Sequence, residues 1–403
     1  MTIRRTMEQS ILDYSSHFKV LLLTGMRQVG KTTLLKELCR DERSYVTLDN
    51  PADLKLAKTE PVLFFQTYRP PVLIDEIQYA PELFPVIKQL VDASPEKGQI
   101  WLTGSQQFQL MQGISESLAG RVAICSLMGF SLHEREGLSG KALPFVPSFD
   151  HSPVLAHRDL AETFHRIWQG SFPEAVELGD KYWDMFYSSY TKTYLERDVQ
   201  SLLAVSDKLA FHTFLRVAAA RTAQELNIAD MAKDCGISPN TAKSWLSVLH
   251  SSGLVYLLQP FSTNIRKRVT KRPKMYFMDT GLCAYLTEWT SPATLAGGAM
   301  RGAIFETFVV SEIIKSYIHN GQEPSLYYYR DNKGAEIDLV LSRDGTLFPI
   351  EIKVSASPDV SMAKHFKVLE QSGMDMGTGA ILCLTDRMRP LSAKLLALSI
   401  WDI

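Results

Sequence analysis

Cysteine is scarce in this chain, and the five present, Cys39, Cys125, Cys235, Cys283 and Cys383, are odd in number, far apart and mostly set among apolar residues. That excludes a disulfide framework and offers no ligand spacing for a structural zinc; reduced thiols of a cytoplasmic protein are expected. Long hydrophobic runs are also missing, so no membrane span is expected. The first residues, Met1-Thr2-Ile3-Arg4-Arg5, lead into a mixed amphipathic stretch with no apolar secretory core. There is no repeat, low-complexity tract or polar tail, and 45% hydrophobic against 22% charged residues is the balance of a folding chain rather than one that works through disorder. Charge of one sign is lacking too. The formal net charge is −1, so any attraction to nucleic acid must come from a single segment. At 403 residues the chain exceeds one ordinary core, and two to three domains of roughly 100–200 residues are expected.

What is present begins with Gly25-Met26-Arg27-Gln28-Val29-Gly30-Lys31-Thr32, followed by Thr33, which satisfies G-x-x-x-x-G-K-[ST] between the apolar run Val20–Leu23 and a helical pattern. Glycines let the backbone N–H groups of Gly25, Arg27, Gln28, Val29 and Gly30 turn inward, and the helix that starts near Lys31 adds the positive end of its dipole, so the loop is an anion cradle. Lys31 is placed to reach the outer phosphates and Thr32 to complete the shell of a magnesium ion. The second half is Val72-Leu73-Ile74-Asp75-Glu76, an apolar strand ending in two acids. Asp75 would hold Mg2+ through water, and Glu76 would polarise the attacking water.

From Lys19 to about Val122, short apolar strands at Val20–Leu23, Tyr45–Leu48, Val72–Ile74 and Ile100–Leu102 alternate with helical patterns, as in a parallel sheet with crossover helices. The last strand runs into Thr103-Gly104-Ser105-Gln106, where Ser105 or Gln106 could sense a γ-phosphate, or the segment could be a plain turn and N-cap. In Ser117-Leu118-Ala119-Gly120-Arg121, Arg121 could act on the transition state within the chain or across a subunit contact of a homo-oligomer, or be an ordinary surface arginine. The phosphate loop, the stretch from Leu73 to Leu83, the Leu-Thr-Gly-Ser turn and Ser-Leu-Ala-Gly-Arg121 together resemble a family of prokaryotic AAA-type ATPases whose ATPase part precedes a C-terminal domain of unknown function. Tyr194-Leu195-Glu196-Arg197-Asp198 resembles the start of that later region. The resemblance implies ATP as the nucleotide, with Lys31, Thr32, Asp75 and Glu76 matching its motifs.

Between Ala210 and Gln259 the pattern changes to a helix at Asn227–Lys233, a turn at Cys235-Gly236-Ile237, and a helix opened by Ser238-Pro239 that runs to His250. Ala242, Trp245, Leu246 and Leu249 share one face and leave Asn240, Thr241, Lys243, Ser244 and Ser247 outward. After a strand at Leu254–Leu258, six of the nine residues from Arg266 to Lys274 are basic and none is acidic. This reads as a winged helix-turn-helix whose Asn240, Lys243, Ser244, Arg266, Lys267, Arg268, Lys271 and Arg272 would contact DNA. A protein-docking lid is the alternative. Upstream, the aromatic stripe Tyr182, Trp183, Phe186, Tyr187, Tyr190 and Tyr194 reads as helical core rather than a base-stacking surface.

The C-terminal part places Glu306 in the helical pattern Gly302–Tyr317, then strands at Leu326–Tyr329, Glu336–Leu341 and Phe348–Lys353, with a helix near Ser361–Gln371 and a strand at Ala380–Leu384. Alternation puts Glu351 and Lys353 on one strand face, and a hairpin brings Asp338 opposite. The order resembles a PD-(D/E)XK, restriction-endonuclease-like site. The resemblance implies Asp338, Glu351 and the helical Glu306 as Mg2+ ligands, Lys353 as the residue that positions the attacking water, and Glu336 as a further candidate. An inert copy of the fold, held by a salt-bridge cluster, is the alternative.

The expected architecture is therefore α/β. Residues 1–145 form a P-loop ATPase core, 146–205 a helical connector, 206–275 the winged helix-turn-helix and 276–403 the nuclease-like domain. Two functions remain open: an ATPase that presents DNA to a Mg2+-dependent nuclease, or a nucleotide-controlled switch that binds DNA or protein.

Overall fold

Five short strands form the parallel sheet that carries the phosphate loop in the computed structural model of the chain, which describes residues 3–39, 42–105, 114, 117–150, 154–194, 208–262 and 272–403. They are β1 (Val20–Thr24), β2 (Ser44–Thr47), β3 (Val72–Asp75), β4 (Ile100–Thr103) and β5 (Val122–Ser126), in the order β2-β3-β4-β1-β5. Four were expected. The fifth, β5, is an edge strand that leaves Ile124 exposed, so it lacks the continuous apolar run by which the buried strands are read. β1, β3 and β4 are buried throughout, and their side chains alternate between two cores. Leu21, Leu23, Leu73 and Trp101 enter one core, and Val20, Leu22, Val72, Ile74, Ile100 and Leu102 the other.

The core that contains Leu21 and Leu23 continues into the rest of the described chain. Helices Leu160–Gln169, Pro173–Leu178 and Trp183–Tyr194 follow the sheet. Trp183, Phe186, Tyr187 and Tyr190 are buried, Trp183 stacks on Trp168 at 4.3 Å, and Tyr190 packs against Phe172 at 4.6 Å. Helices Lys208–Ala220, Ile228–Asp234 and Pro239–Ser251 then lead to a three-stranded sheet of order β6-β8-β7, with β6 at Gln224–Glu225, β7 at Val255–Leu258 and β8 at Lys274–Phe277.

Helix Arg301–Ile318 precedes a mixed sheet of β9 (Leu326–Arg330), β10 (Glu336–Arg343), β11 (Thr346–Ile352), β12 (Asp375–Met376), β13 (Gly379–Cys383), β14 (Arg389–Ser392) and β15 (Leu395–Ser399). Its order is β14-β15-β13-β11-β10-β9, with β12 beside β11. The segment after β7 runs onto the edge of this sheet, where the Phe261 N–H donates to Tyr328 O at 2.6 Å. The helix expected near Ser361–Gln371 is instead two 3₁₀ pieces, Val360–Ala363 and Phe366–Ser372. Each buries a single residue, Ala363 or Leu369, too thin an apolar stripe to hold a regular α-helix against the sheet. Among the described residues no helix is long and apolar enough to cross a membrane.

Candidate functional site

The phosphate loop turns between β1 and the helix Lys31–Cys39, and a cavity of about 410 Å³ opens over Arg27, Gln28, Gly30, Lys31, Thr32, Thr33 and Glu76. Lys31 is buried and folded onto the loop, its ammonium donating to Gly25 O at 3.0 Å and Met26 O at 2.7 Å. The Thr32 hydroxyl donates to Asp75 Oδ1 at 2.8 Å, although the two residues lie 43 positions apart. Asp75 Oδ1 also accepts from the Thr103 hydroxyl, and Oδ2 from the Tyr45 hydroxyl at 3.2 Å. Burial and then the Asp75 charge push the Tyr45 phenol up to about 12. A hydroxyl and a carboxylate held together beside an anion cradle suit an octahedral Mg2+, which takes its remaining ligands from phosphate and water rather than from a protein cage. Glu76 has left-handed backbone (φ 58°) at the end of β3, its N–H donates to Thr103 Oγ1 at 3.2 Å, and its side chain takes a hydrogen bond from Gln78. A non-glycine residue in that conformation stores strain of the kind found at functional sites.

The structure also fills in the neighbourhood. The polar group of β4 that reaches the acidic pair is Thr103; Ser105 is buried and its hydroxyl has no partner among the described residues. Gln106 lies outside the described residues. Arg121 is at the wrong end of the sheet to touch its own nucleotide, because its carbonyl accepts from the Val20 N–H where β1 begins, whereas the phosphate loop follows where β1 ends. Its guanidinium pairs with Asp92 at 2.6 and 3.0 Å. Tyr190 and Thr193, far away in sequence, line the cavity.

Arg5 is a contributor that the sequence does not announce. It is buried, and its guanidinium donates to Val29 O at 2.8 Å, Met128 O at 2.6 Å and Glu134 Oε1 at 3.1 Å, so it clamps the loop carbonyl just before Gly30. An ammonium cannot serve that fork of acceptors. Arg5→Lys is expected to raise the KM for ATP about tenfold while leaving kcat within about threefold; equal loss in both parameters in a steady-state titration would contradict it.

Glu134 in turn lies 3.4 Å from His319 of the C-terminal lobe. Burial would raise the Glu134 carboxyl, but Arg5, His319 and the N–H groups of Ser131 and Thr6 hold it low. Burial pushes His319 down to about 4, against Glu134 and with Arg5 and Lys315, and neither ring nitrogen has a hydrogen-bond partner among the described residues. The unfolded chain therefore binds a proton between pH 6.5 and about 4 that the folded chain does not, so stability falls as pH falls through that window. The loss is at most about 3 kcal/mol. In urea unfolding at pH 7.5, 5.5 and 4.5, His319→Met should flatten this part of the pH dependence; parallel curves for variant and wild type would refute it.

In the helix Pro239–Ser251, Ser238 caps the first turn by accepting from the Thr241 N–H at 3.1 Å. Ala242, Trp245, Leu246 and Leu249 are buried as expected, and Asn240, Lys243, Ser244 and Arg272 are exposed. Arg266, Lys267, Arg268 and Lys271 lie outside the described residues, as does Arg197. At the turn that ends this helix, a Cβ on Gly253 would stand 3.3 Å from Met26 Cγ, so the helical region rests directly on the phosphate loop.

The C-terminal acids do meet, but with lysines among them. Lys353 pairs with Glu351 at 2.6 Å and Asp338 at 3.3 Å, and the Ile352 N–H donates to Asp338 Oδ2 at 2.8 Å. Glu306 accepts from Tyr276 at 2.7 Å and from Lys274 at 3.3 Å, while Lys274 also pairs with Glu336 at 2.7 Å. Burial pushes Glu306 up to about 7 against the pull of Lys274, and burial with the Asp338 charge pushes Glu351 up to about 7. No group of three or more His, Cys, Asp or Glu side chains among the described residues is arranged to hold a metal ion. In each acid of the expected trio one oxygen is engaged, Glu306 Oε1 by Lys274 and Tyr276, Asp338 Oδ2 by Lys353 and the Ile352 N–H, and Glu351 Oε1 by Lys353.

Compared with known proteins, residues 17–136 match the AAA domain family AAA_14. The N-terminal part of the chain is an AAA-type ATPase domain. Residues 161–293 and 301–403 match two domains of unknown function, DUF8612 and DUF4143. The whole chain with its AAA-type domain is similar to the uncharacterized proteins Rv2008c of Mycobacterium tuberculosis and Mb2031c of Mycobacterium bovis, each 29% identical over 388 residues that cover 94% of this chain and 79% of the relative. Among solved structures, the Walker-type ATPase PABY2304 of Pyrococcus abyssi is similar at 15% identity and a TM-score of 0.43, covering 71% of this chain and 96% of that one. The RuvB Holliday junction branch migration motor of Thermotoga maritima is similar at 15% identity and a TM-score of 0.31, covering 62% and 87%.

Proposed function

We propose that this chain is a cytoplasmic ATP-hydrolysing switch that binds DNA through residues 206–275, with the four-part division of the chain set out above. The observation that carries the nucleotide part is the Thr32–Asp75 hydrogen bond beside Glu76 at the mouth of the phosphate-loop cavity. A bound Mg2+, held by Thr32 and through water by Asp75, would neutralise phosphate charge. Lys31 then leaves the carbonyls of Gly25 and Met26 for the outer phosphates, and Glu76 orients the attacking water. Met26 lies against Gly253, so reordering of the loop is felt where the helix Pro239–Ser251 ends. The exposed Asn240, Lys243 and Ser244 on that helix, with the basic run from Arg266 to Arg272, make the DNA surface.

The coupled-nuclease reading has residue order in its favour; against it stand the ion pairs that Lys274 and Lys353 make with Glu306, Asp338 and Glu351. Arg121, at the far end of β1, can serve as a finger solely in another copy of a homo-oligomer. Fluorescence anisotropy on duplex DNA at several salt concentrations tests the DNA surface. Lys243→Glu with Arg272→Glu should weaken binding and make the salt slope shallower, by about one for each phosphate that the variant no longer neutralises. Unchanged binding would move the role of this region to docking a protein.

A further inference from the structure

We propose that Lys274 is a resident cation, which fills from the neighbouring three-stranded sheet the place in the C-terminal carboxylate cluster that a divalent ion would need, and so keeps this lobe free of metal. Lys274 opens β8, the central strand of the β6-β8-β7 sheet, yet its side chain is only 4% exposed and reaches two acids on separate elements of the C-terminal lobe. Its ammonium is 3.3 Å from Glu306 Oε1 on the helix Arg301–Ile318 and 2.7 Å from Glu336 Oε1 at the start of β10. Tyr276 is two residues along β8 and so on the same face, and it donates to that same Glu306 oxygen at 2.7 Å. The Tyr328 ring lies 5.5 Å from the ammonium. The remaining acids of the cluster are answered by Lys353.

A divalent ion entering between Glu306 and β10 from the cavity that Glu336 and Asp338 line would have to expel the buried Lys274 ammonium from both of its carboxylates. A buried lysine stripped of its carboxylates is far costlier than one left in place. The bland alternative is a strut that fastens β8 to the lobe and has no bearing on metal. The two differ in what happens when the charge is removed: a strut leaves metal affinity unchanged, whereas a resident cation leaves a vacancy of the right charge lined by Glu306, Glu336 and Asp338. The inference rests on the nuclease-like reading of the lobe and is independent of ATP hydrolysis.

The test is a Mn2+ titration of the full chain without nucleotide, with free Mn2+ read by electron paramagnetic resonance. Wild type and Asp338→Asn should titrate alike. Lys274→Met should gain one site per chain, at least tenfold tighter than any site that wild type has in this lobe, and Lys274→Met/Asp338→Asn should lose it. A wild-type site that Asp338→Asn abolishes would overturn the proposal, as would a folded Lys274→Met variant, verified by circular dichroism, that gains none. If Lys274→Met does not fold, Lys274→Gln, which keeps a hydrogen-bond donor for Glu306 without the charge, is titrated in its place with the same expected gain. ATP turnover on the same samples scores the N-terminal reading separately, so failure of one leaves the other standing.

Discussion

Glu76→Gln is expected to lower the rate of ATP hydrolysis at saturation by about two to three orders of magnitude while leaving ATP affinity within about threefold, because a positioned general base contributes in that range and a neutral isostere cannot polarise water. Glu76 lines the cavity together with Lys31 and Thr32, and its backbone is fixed in a strained left-handed conformation by the N–H bond to Thr103. The substitution keeps the side-chain shape and leaves the Thr32–Asp75 contact untouched. Single-turnover hydrolysis and binding of a fluorescent ATP analogue separate the two effects. A variant that turns over within a factor of two of wild type would remove Glu76 from the mechanism.

Gly25→Ala is expected to lose ATP binding by at least about a hundredfold and to destabilise the fold by roughly 3 kcal/mol or more. A Cβ there would stand 2.0 Å from Leu127 O, and the backbone has φ +133°, so the side chain meets fixed backbone as well as conformational strain. Gly120 supplies the control. It also has positive φ, +75°, but an added Cβ meets nothing within 4 Å, so Gly120→Ala should cost only about 1 kcal/mol. The difference between the two in thermal unfolding and ATP titration isolates the clash. Equal effects would show that the loop can move away from Leu127 and that its anchorage is weaker than the geometry implies.

The phosphate-loop cavity was legible because its residues lie in two short contiguous stretches, Gly25–Thr32 and Val72–Glu76, each with its apolar strand. Arg5 and Tyr190 were not, because each reaches the loop from a distant segment and neither carries a local pattern that marks it. Arg121 could not be placed from sequence because β5, the strand that follows it, lacks the apolar run by which the buried strands are read. The C-terminal order of Glu306, Asp338, Glu351 and Lys353 could be read from strand alternation and turns. That the acids are already neutralised could not, since the decisive lysine comes from β8, 32 residues before Glu306 and in another sheet. The aromatic stripe gave the right bulk reading, a buried helix face, while its last turn also supplies Tyr190 and Thr193 to the cavity.

In the proposed switch, nucleotide state at the phosphate loop controls DNA binding by the region resting on it. The direct measurement is the affinity of Glu76→Gln for a labelled duplex with ATP, with ADP and without nucleotide, at one fixed salt concentration, beside Lys31→Ala under the same conditions. At least a fivefold difference in affinity is expected between the ATP and ADP states of Glu76→Gln, and none in Lys31→Ala, whose loop lacks the ammonium that engages the phosphates. Equal affinity in all three states of Glu76→Gln would contradict it.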